Sequence, residues 1–281
     1  MTDLPDFLKS QIFIAFDTET TGMWAPSNRI VEIAAVRFDL SGKELGTFQS
    51  LVNPGRQIPA EVISIHGITD EMVKEARLIK PVLEEFFSFC GTDTLLVAHN
   101  APFDISFIGW ELDRAGMGFL PNPILDTVDI YHRFFPGLPS YSLANLTQHF
   151  DIARSQEHRA LSDARLVSRL VLNASRKLAG FKDLAEMREA ITMHSLTGWQ
   201  SEPATLPNEH SDIERAITDR LRVEIDYNHP VRASKIRVIR PQQVFKLGSI
   251  YYINAYCELA RAERTFRLDR ILSYRILPES L

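Results

Sequence analysis

Residues 12–22 read Ile-Phe-Ile-Ala-Phe-Asp-Thr-Glu-Thr-Thr-Gly, a short apolar run that ends in two acids. The run is rich in branched and aromatic side chains, which is typical of a buried central strand. Because side chains alternate along a strand, Asp17 and Glu19 project to the same side where the chain leaves the sheet. Paired carboxylates repel each other unless a cation lies between them, and hard oxygen ligands suit Mg²⁺ or Mn²⁺. The stretch therefore predicts a metal site, and the alternative is a solvated strand end that happens to be acidic.

The length and composition are typical of a globular protein with two domains. The chain has 281 residues, 45% of them apolar, and a domain holds about 150 residues. No apolar run approaches the ~18 residues that span a bilayer, and the first ten residues contain acids and a proline where a signal peptide has a basic start. We therefore expect a cytoplasmic protein with no membrane partner. Cys90 and Cys257 lie in apolar stretches typical of buried reduced thiols, which argues against a zinc site or a disulfide framework.

The net charge of −5 is unevenly distributed along the chain. Residues 213–281 carry 13 Lys or Arg against 8 Asp or Glu, whereas residues 1–212 carry 18 against 28. Residues 1–212 and residues 213–281 therefore have opposite net charge. Some of the N-terminal acidity belongs to the candidate metal site, where bound ions would offset it.

Apolar periodicity and turn residues predict the remaining elements. Further strands are expected at 29–39, 46–52, 94–98 and 124–128, and helices at 81–90, from Asp104 onward, and at 160–178. Strands that come first, followed by alternating helices and strands, indicate an α/β fold with a mixed sheet flanked by helices. Residues 198–211 are polar and contain two prolines, which predicts a linker. Beyond it we expect a helix at 212–221 and four short strands at 223–227, 234–239, 250–256 and 265–268.

Further acids stand at the ends of predicted elements. Asp104 opens a helix, and Asp163 lies in the first turn of the 160–178 helix, five residues after His158. Taken singly, Asp104 and Asp163 are acids of the kind that the helix dipole favours near a helix start, and His158 is an ordinary surface histidine. Together with Asp17 and Glu19, four acids thus stand at the ends of predicted elements, with His158 shortly before the last of them.

Four motifs carry a resemblance to a known family. They are Phe-Asp-Thr-Glu-Thr-Thr-Gly at 16–22, His-Gly-Ile-Thr at 66–69, Ala-His-Asn-Ala-Pro-Phe-Asp at 98–104 and His-Arg-Ala-Leu-Ser-Asp-Ala at 158–164. The set resembles the DEDDh exonuclease superfamily, which includes the proofreading subunit of bacterial replicative polymerase, ribonuclease T and oligoribonuclease. The resemblance runs from residue 12 to about residue 178. It implies a ribonuclease H-like domain at 1–180 that removes nucleoside 5′-monophosphates from a 3′ end, as in DNA repair.

Hydrolysis of a phosphodiester accounts for these residue types. Two metal ions about 3.5 to 4 Å apart strengthen the water nucleophile and stabilise charge on the attacking and leaving oxygens. We therefore expect two Mg²⁺ (or Mn²⁺) ions, with Asp17 bridging them, Glu19 and Asp163 completing the site of the water-activating ion, and Asp104 holding the second. His158 would accept the proton of the water, because histidine titrates near neutrality.

The resemblance also implies a site for the terminal nucleotide. Backbone groups around Thr18 and Glu19 would meet the terminal 3′ hydroxyl. The pocket would be lined by Thr20, Met23, His66, Asn100 and Phe103.

The C-terminal segments at 221–227, 238–241, 251–257 and 264–271 resemble a WYL domain, a small Sm-like β-barrel. Tyr251 stands for the Trp of the naming triplet, and Ile253 for the Leu. We expect this domain at 213–281, after a helical segment and linker at 181–212. Cations beside aromatic rings are what single-strand binding requires, and the candidates here are Arg232, Lys235, Arg237, Arg240, Tyr251, Tyr252, Arg264 and Arg267. The alternative is a structural barrel with a solvated basic face.

The sequence thus predicts a metal-dependent 3′-5′ exonuclease joined to a nucleic-acid-binding or regulatory barrel. The expected partner is single-stranded nucleic acid with a free 3′ end, DNA favoured over RNA. A rival interpretation is a non-catalytic or ligand-regulated sensor of 3′ ends, against which the complete acid set and His158 argue. The residues leave open DNA versus RNA, single versus double strand, protein partners and the oligomeric state.

Overall fold

The computed structural model describes residues 5–196, 205–229, 232–247 and 250–278. The chain divides into two compact units, residues 1–199 and 200–281. None of the helices within the described ranges has the length and apolarity that crossing a membrane requires.

The first unit contains six strands and nine helices within its described residues. The strands are β1 (Phe13–Thr20), β2 (Ile30–Phe38), β3 (Glu44–Leu51), β4 (Leu95–Ala98), β5 (Ile124–Asp126) and β6 (Met193–His194). The helices are α1 (Asp6–Lys9), α2 (Ala60–His66), α3 (Asp70–Val73), α4 (Ile79–Cys90), α5 (Ala101–Ala115), α6 (Thr127–Phe134), α7 (Leu143–His149), α8 (Ala160–Leu178) and α9 (Leu184–Ala190).

The strands of the first unit form one mixed sheet in the order β3-β2-β1-β4-β5-β6. The β1–β2, β2–β3 and β5–β6 pairs are antiparallel, whereas β1–β4 and β4–β5 are parallel. The expected mixed sheet flanked by helices is therefore confirmed. The edge strand β6 was not predicted. It has only two residues, too few to show a periodicity, and it lies within 181–212, which was predicted to be a helical segment and linker.

Alternation along β1 decides which helices its side chains meet. Phe13 and Ala15 share a buried cluster with Val167 of α8. Phe16, on the opposite face, packs on Phe86 of α4 with ring centroids 6.0 Å apart. Since successive side chains point to opposite faces, Asp17 and the next odd-numbered residues continue the face covered by α8. The even-numbered residues continue the other face.

Short polar side chains start several helices. Thr69 accepts a hydrogen bond from the Met72 N–H at the start of α3. Ser142 does the same for α7 through the Asn145 N–H. These caps satisfy backbone donors that have no partner within the helix.

The second unit is one helix packed on an antiparallel sheet. Its elements are α10 (Ser211–Thr218), β7 (Arg222–His229), β8 (Arg232–Leu247), β9 (Ile250–Cys257), β10 (Ala262–Arg267) and β11 (Ile271–Leu277). The strand order is β10-β9-β8-β7-β11. Ile213 and Ala216 of α10 join the same apolar core as Ile225, Ile239 and Ile253 of the sheet.

Two features of this sheet differ from the prediction of four short strands. β8 continues for 16 residues through Pro241, because a register shift between Pro241 and Gln243 accommodates the proline as a bulge does. β11 was missed, and it pairs with β7. No ladder joins β10 to β11 within the described part of this unit, so the sheet there is open, whereas the prediction was a closed barrel.

Candidate active site

Three of the predicted acids converge at the end of β1. One oxygen from each of Asp17, Glu19 and Asp163 lies within 4.8 Å of the others. Asp17 and Glu19 reach this point because they extend the β1 face that α8 covers. Asp163 reaches it from the first turn of α8, where it is buried. The strand and the helix are far apart in sequence, so packing of α8 on β1 assembles the group.

Asp104 lies beside this group, and Thr18 holds its carboxylate in place. Its carboxylate is 2% exposed, and Oδ1 accepts hydrogen bonds from the Thr18 backbone N–H at 2.9 Å and the Thr18 hydroxyl at 2.7 Å. Among neighbouring charges, Asp104 acts most strongly on Asp17. Thr18 therefore orients Asp104 through both its backbone N–H and its hydroxyl.

The segment before α8 supplies further contacts to Asp163. Gln156 donates a hydrogen bond from Nε2 to Asp163 Oδ2 at 2.5 Å. His158 is exposed and has a left-handed backbone with φ of 52°. Burial raises the pKa of Asp163, and the nearby His158 partly opposes this rise. The left-handed conformation is uncommon for a residue with a side chain and marks a segment that its surroundings constrain.

Desolvation and mutual repulsion make the charged state of the acids costly. Burial raises the pKa of Asp17 well above its ordinary value, and the charges of Asp104, Glu19 and Asp163 raise it further. Burial and the charges of Asp163 and Glu32 raise the pKa of Glu19 to about 9. Burial raises the pKa of Asp104 to about 7, although the hydrogen bonds from Thr18 act against it. Crowded carboxylates of this kind require either protons or cations.

The donor set fits a divalent cation. Carboxylate oxygens are the ligands that Mg²⁺ and Mn²⁺ prefer, and three of them converge here. Asp163 Oδ1 is buried and has no hydrogen-bond partner among the described residues. A buried carboxylate oxygen is otherwise paired, so this atom is available for a ligand.

We expect the metal-free chain to lose stability as the pH rises from about 4 to about 9. A carboxyl group whose pKa is raised by folding binds its proton more tightly in the folded state, so the free energy of unfolding falls as the pH rises between the two values. For Glu19 this interval runs from 4.5 to about 9, and for Asp104 from 3.8 to about 7.

Urea unfolding of the metal-free chain across this pH range measures the effect. Glu19→Gln should flatten the upper part of the profile, because it removes a group whose pKa lies near the top of the range. Mg²⁺ should flatten the whole profile, because a cation stabilises the deprotonated acids. A metal-free stability that rises steadily from pH 5 to 9 would contradict the assignment.

The predicted nucleotide-pocket residues differ in their environments. Met23 is 74% exposed just after β1, whereas His66 is buried. The Thr20 hydroxyl donates to the Gly22 carbonyl at 2.7 Å. His66 Nδ1 accepts from the Ile68 N–H at 2.9 Å, and this contact is possible because Gly67 ends α2 in a left-handed conformation with φ of 72°. Burial lowers the pKa of His66, which favours the neutral ring.

Asn100 and Phe103 lie at the start of α5. Asn100 is exposed with φ of 62°, and Phe103 is half-buried against Phe107 with centroids 4.9 Å apart. Asp126 accepts hydrogen bonds from the Asn100 N–H at 2.9 Å and the Ala101 N–H at 3.1 Å. The turn that leads to Asp104 is therefore anchored on a neighbouring strand.

Sequence reasoning missed the supporting residues Gln156 and Asp126. Asp126 lies within the predicted strand at 124–128 and directly follows apolar residues, so an acid beside a short apolar run was the available signal. Gln156 has no such signal, because its contact with Asp163 depends on the path of the loop.

The cations and rings predicted to bind nucleic acid in the second unit are partly engaged in internal contacts. Arg240 pairs with Glu258 at 3.2 Å, and Arg267 with Asp269 at 2.6 Å. Arg237 is half-buried, and its Nη1 lies 3.7 Å from the Cys257 sulfur. These contacts reduce the cationic surface that the sequence predicted.

The remaining candidates of that set vary in exposure. Tyr252 is 6% exposed and Tyr251 is half-buried, so Tyr252 does not offer an open ring for stacking. Lys235 and Arg264 are exposed. Arg232 begins β8, and its side chain lies outside the described residues.

Two family models match the chain. The exonuclease model (RNase_T) matches residues 14–171, which is more than half of the chain, and the WYL domain model matches residues 209–276. The two matches fall in the first and second compact units respectively.

Curated relatives match the first unit. The chain is 37% identical over 159 residues to the PolC-type DNA polymerase III of Halalkalibacterium halodurans, covering 57% of this chain and 11% of the polymerase. It is 34% identical over 183 residues to the PolC-type polymerase of Streptococcus pneumoniae, covering 64% and 12%. The chain thus corresponds to a small part of each polymerase.

A solved structure of similar fold is the nuclease domain of 3′hExo, described as a DEDDh family member bound to rAMP. It aligns with a TM-score of 0.55 at 17% identity, over 62% of this chain and 94% of that domain. The resemblance predicted from the four motifs is confirmed, and the chain belongs to the exonuclease family, with a WYL domain in its second unit.

Proposed function

We propose that the chain is a metal-dependent 3′-5′ exonuclease that releases nucleoside 5′-monophosphates. The observation that carries this proposal is the convergence of Asp17, Glu19 and Asp163 oxygens within 4.8 Å. Desolvated acids in such a group favour a bound cation. Asp104, held beside them by Thr18, completes the acid set of the family motif.

The four acids and His158 would have separate roles in the reaction. Asp17 would bridge two cations, Glu19 and Asp163 would hold one of them, and Asp104 would hold the other. Bound Mg²⁺ or Mn²⁺ supplies a stronger water nucleophile and stabilises charge on the attacking and leaving oxygens. His158 would accept the proton of the attacking water, and its exposure and proximity to Asp163 support this role.

The terminal nucleotide would bind beside these acids. Met23, with its exposed side chain, and the half-buried Phe103 would contact the base or sugar through apolar surface. Asn100 and the buried His66 would add polar contacts, with Thr20 and backbone groups near Thr18 and Glu19 at the sugar. The rAMP bound to the 3′hExo nuclease domain supports a pocket for one nucleoside monophosphate.

We propose single-stranded nucleic acid as substrate, with DNA favoured over RNA. The similarity to a segment of PolC-type DNA polymerases supports DNA. The test is digestion of 5′-labelled single-stranded DNA, the matching RNA, and matched and mismatched duplexes with Mg²⁺. A 3′-5′ exonuclease shortens the labelled strand stepwise, releases 5′-monophosphates and leaves circular DNA intact. Cleavage of the circle, or tight 3′-end binding without cleavage, would contradict the proposal, and the latter would favour the sensor alternative.

We further propose that the WYL domain holds the strand upstream of the 3′ end. The exposed Lys235 and Arg264 support this, and the ion pairs of Arg240 and Arg267 limit it. The alternative roles are regulation by a ligand and protein docking.

Deletion of residues 200–281 should then raise KM for long single strands at moderate salt. On very short oligomers kcat should change little, because the acid site remains. Every phosphate that the truncated chain no longer binds should lower the slope of log K against log salt by about 0.7. Fluorescence anisotropy over a salt series measures this. Equal affinity and equal slope in the truncated and full chains would show that the WYL domain does not hold the strand.

A further inference from the structure

Glu32 is a fully buried acid in a mostly apolar strand. It lies on β2 at 0% exposure, directly opposite Glu19 in the β1–β2 register. Burial and the neighbouring acid both disfavour an ionised carboxylate at this position. Its retention there therefore requires compensating contacts.

Four hydrogen bonds provide that compensation. Arg159 donates to both oxygens of Glu32, from Nη2 to Oε1 at 2.7 Å and from Nε to Oε2 at 3.1 Å. The Ala160 backbone N–H donates to Oε2 at 3.0 Å, and Gln49 Nε2 donates to Oε1 at 2.9 Å. Burial raises the pKa of Glu32, but these hydrogen bonds outweigh it and hold the pKa below its ordinary value.

The contacts of Glu32 lie between two residues of the proposed active site. Arg159 directly follows His158, and Ala160 is the first residue of α8, which carries Asp163 in its first turn. Within the described part of the chain, the side chain of Arg159 does not cap α8. The carboxylate of Glu32 takes that role from β2, because it accepts the N–H of the first helical residue.

We infer that Glu32 and Arg159 are positioning residues that fix His158 and Asp163 relative to Glu19. This inference rests on the proposed exonuclease function. One bidentate contact anchors the segment in which His158 holds its left-handed backbone, and the same carboxylate sets the start of α8. Neither residue has to touch substrate for this.

Arginine is specifically suited to this contact. Its planar fork matches both oxygens of a carboxylate, whereas a lysine ammonium is a single point charge. Arg159→Lys therefore keeps the charge near the acids but removes the orientation. The substitution separates positioning from simple electrostatics.

The chain contains a matched control pair. Arg165, six residues further along the chain than Arg159, makes the same bidentate contact with Glu44 of β3, at 3.1 and 3.2 Å. Both side chains of that pair are 44% exposed. Exposed pairs contribute little, and this one lies on no segment between His158 and Asp163.

The experiment compares Glu32→Gln, Arg159→Lys and the double variant with Glu44→Gln and Arg165→Lys in the full chain. We expect Glu32→Gln and Arg159→Lys each to lower kcat by about 10- to 100-fold, the usual effect of removing a residue that supports a metal ligand. KM for a short single strand should change much less. The double variant should be no worse than the worse single variant, because the two side chains act as one unit. The control variants should stay near wild type.

Wild-type kcat in folded Arg159→Lys would overturn the inference, as would multiplying effects in the double variant or equal losses in the controls. If Glu32→Gln does not fold, as far-ultraviolet circular dichroism would report, Arg159→Lys alone decides, because Arg159 is 35% exposed. Calorimetric titration with Mn²⁺ is independent of the substrate. Weaker Mn²⁺ binding in Arg159→Lys but not in Arg165→Lys is expected. This result would support the inference even if the wild-type chain digests no nucleic acid. The absence of digestion would instead overturn the proposed function.

Discussion

Asp17→Ala is expected to abolish cleavage while single-stranded binding survives. Asp17 lies between the other acids: its oxygen groups with those of Glu19 and Asp163, and Asp104 is the strongest charge acting on it. Cations stabilise the reaction by several kcal/mol, and each 1.36 kcal/mol changes the rate tenfold. Removal of the shared ligand should thus lower kcat by about 10³-fold or more.

The measurement pairs single-turnover digestion with binding of the same oligonucleotide by anisotropy. Asp93→Ala is the control, because Asp93 is an exposed acid in the loop between α4 and β4. That variant should cut normally. Cleavage by Asp17→Ala above a tenth of the wild-type rate would remove the central role given to Asp17.

Asp17→Asn should separate the metal role from the fold. It keeps the shape of the side chain and removes a charge that burial and neighbouring acids disfavour. The metal-free variant should therefore unfold at a higher temperature than the wild type, although it does not cleave. An inactive variant that is also destabilised would point to a structural loss.

His158→Ala should slow turnover by about 10² to 10⁴, the usual contribution of a general base. It should also flatten the acid limb of the pH profile, because protonation of the base no longer limits the rate. His149→Ala is the control, since His149 is an exposed histidine at the end of α7. KM should change little in either variant.

Single-turnover rates across the acid range test this assignment. An acid limb that persists unchanged in His158→Ala would show that another group is the base. A large loss in His149→Ala would show that the assay reports general destabilisation and not loss of proton transfer.

Local pattern was sufficient for the elements that carry the site. The apolar run before Asp17 and its alternation predicted β1 and the common direction of Asp17 and Glu19. The 160–178 helix was predicted at the bounds that α8 has, because its amphipathic periodicity is long. The motifs around Asp104 and Asp163 placed the remaining acids at element starts. All of this information lies within short windows of the chain.

How those elements are held together depends on contacts between distant parts of the chain. Thr18 binds Asp104 across 86 positions, and Arg159 binds Glu32 across 127. β6 and β11 are strands because they pair with β5 and β7. Tyr252 is buried, although the sequence around it predicted an exposed ring. A carboxylate tolerates burial only where folding brings donors to it. Short stretches of sequence therefore specify which groups form the acid set, and long-range packing specifies which residues support them and which cations remain exposed.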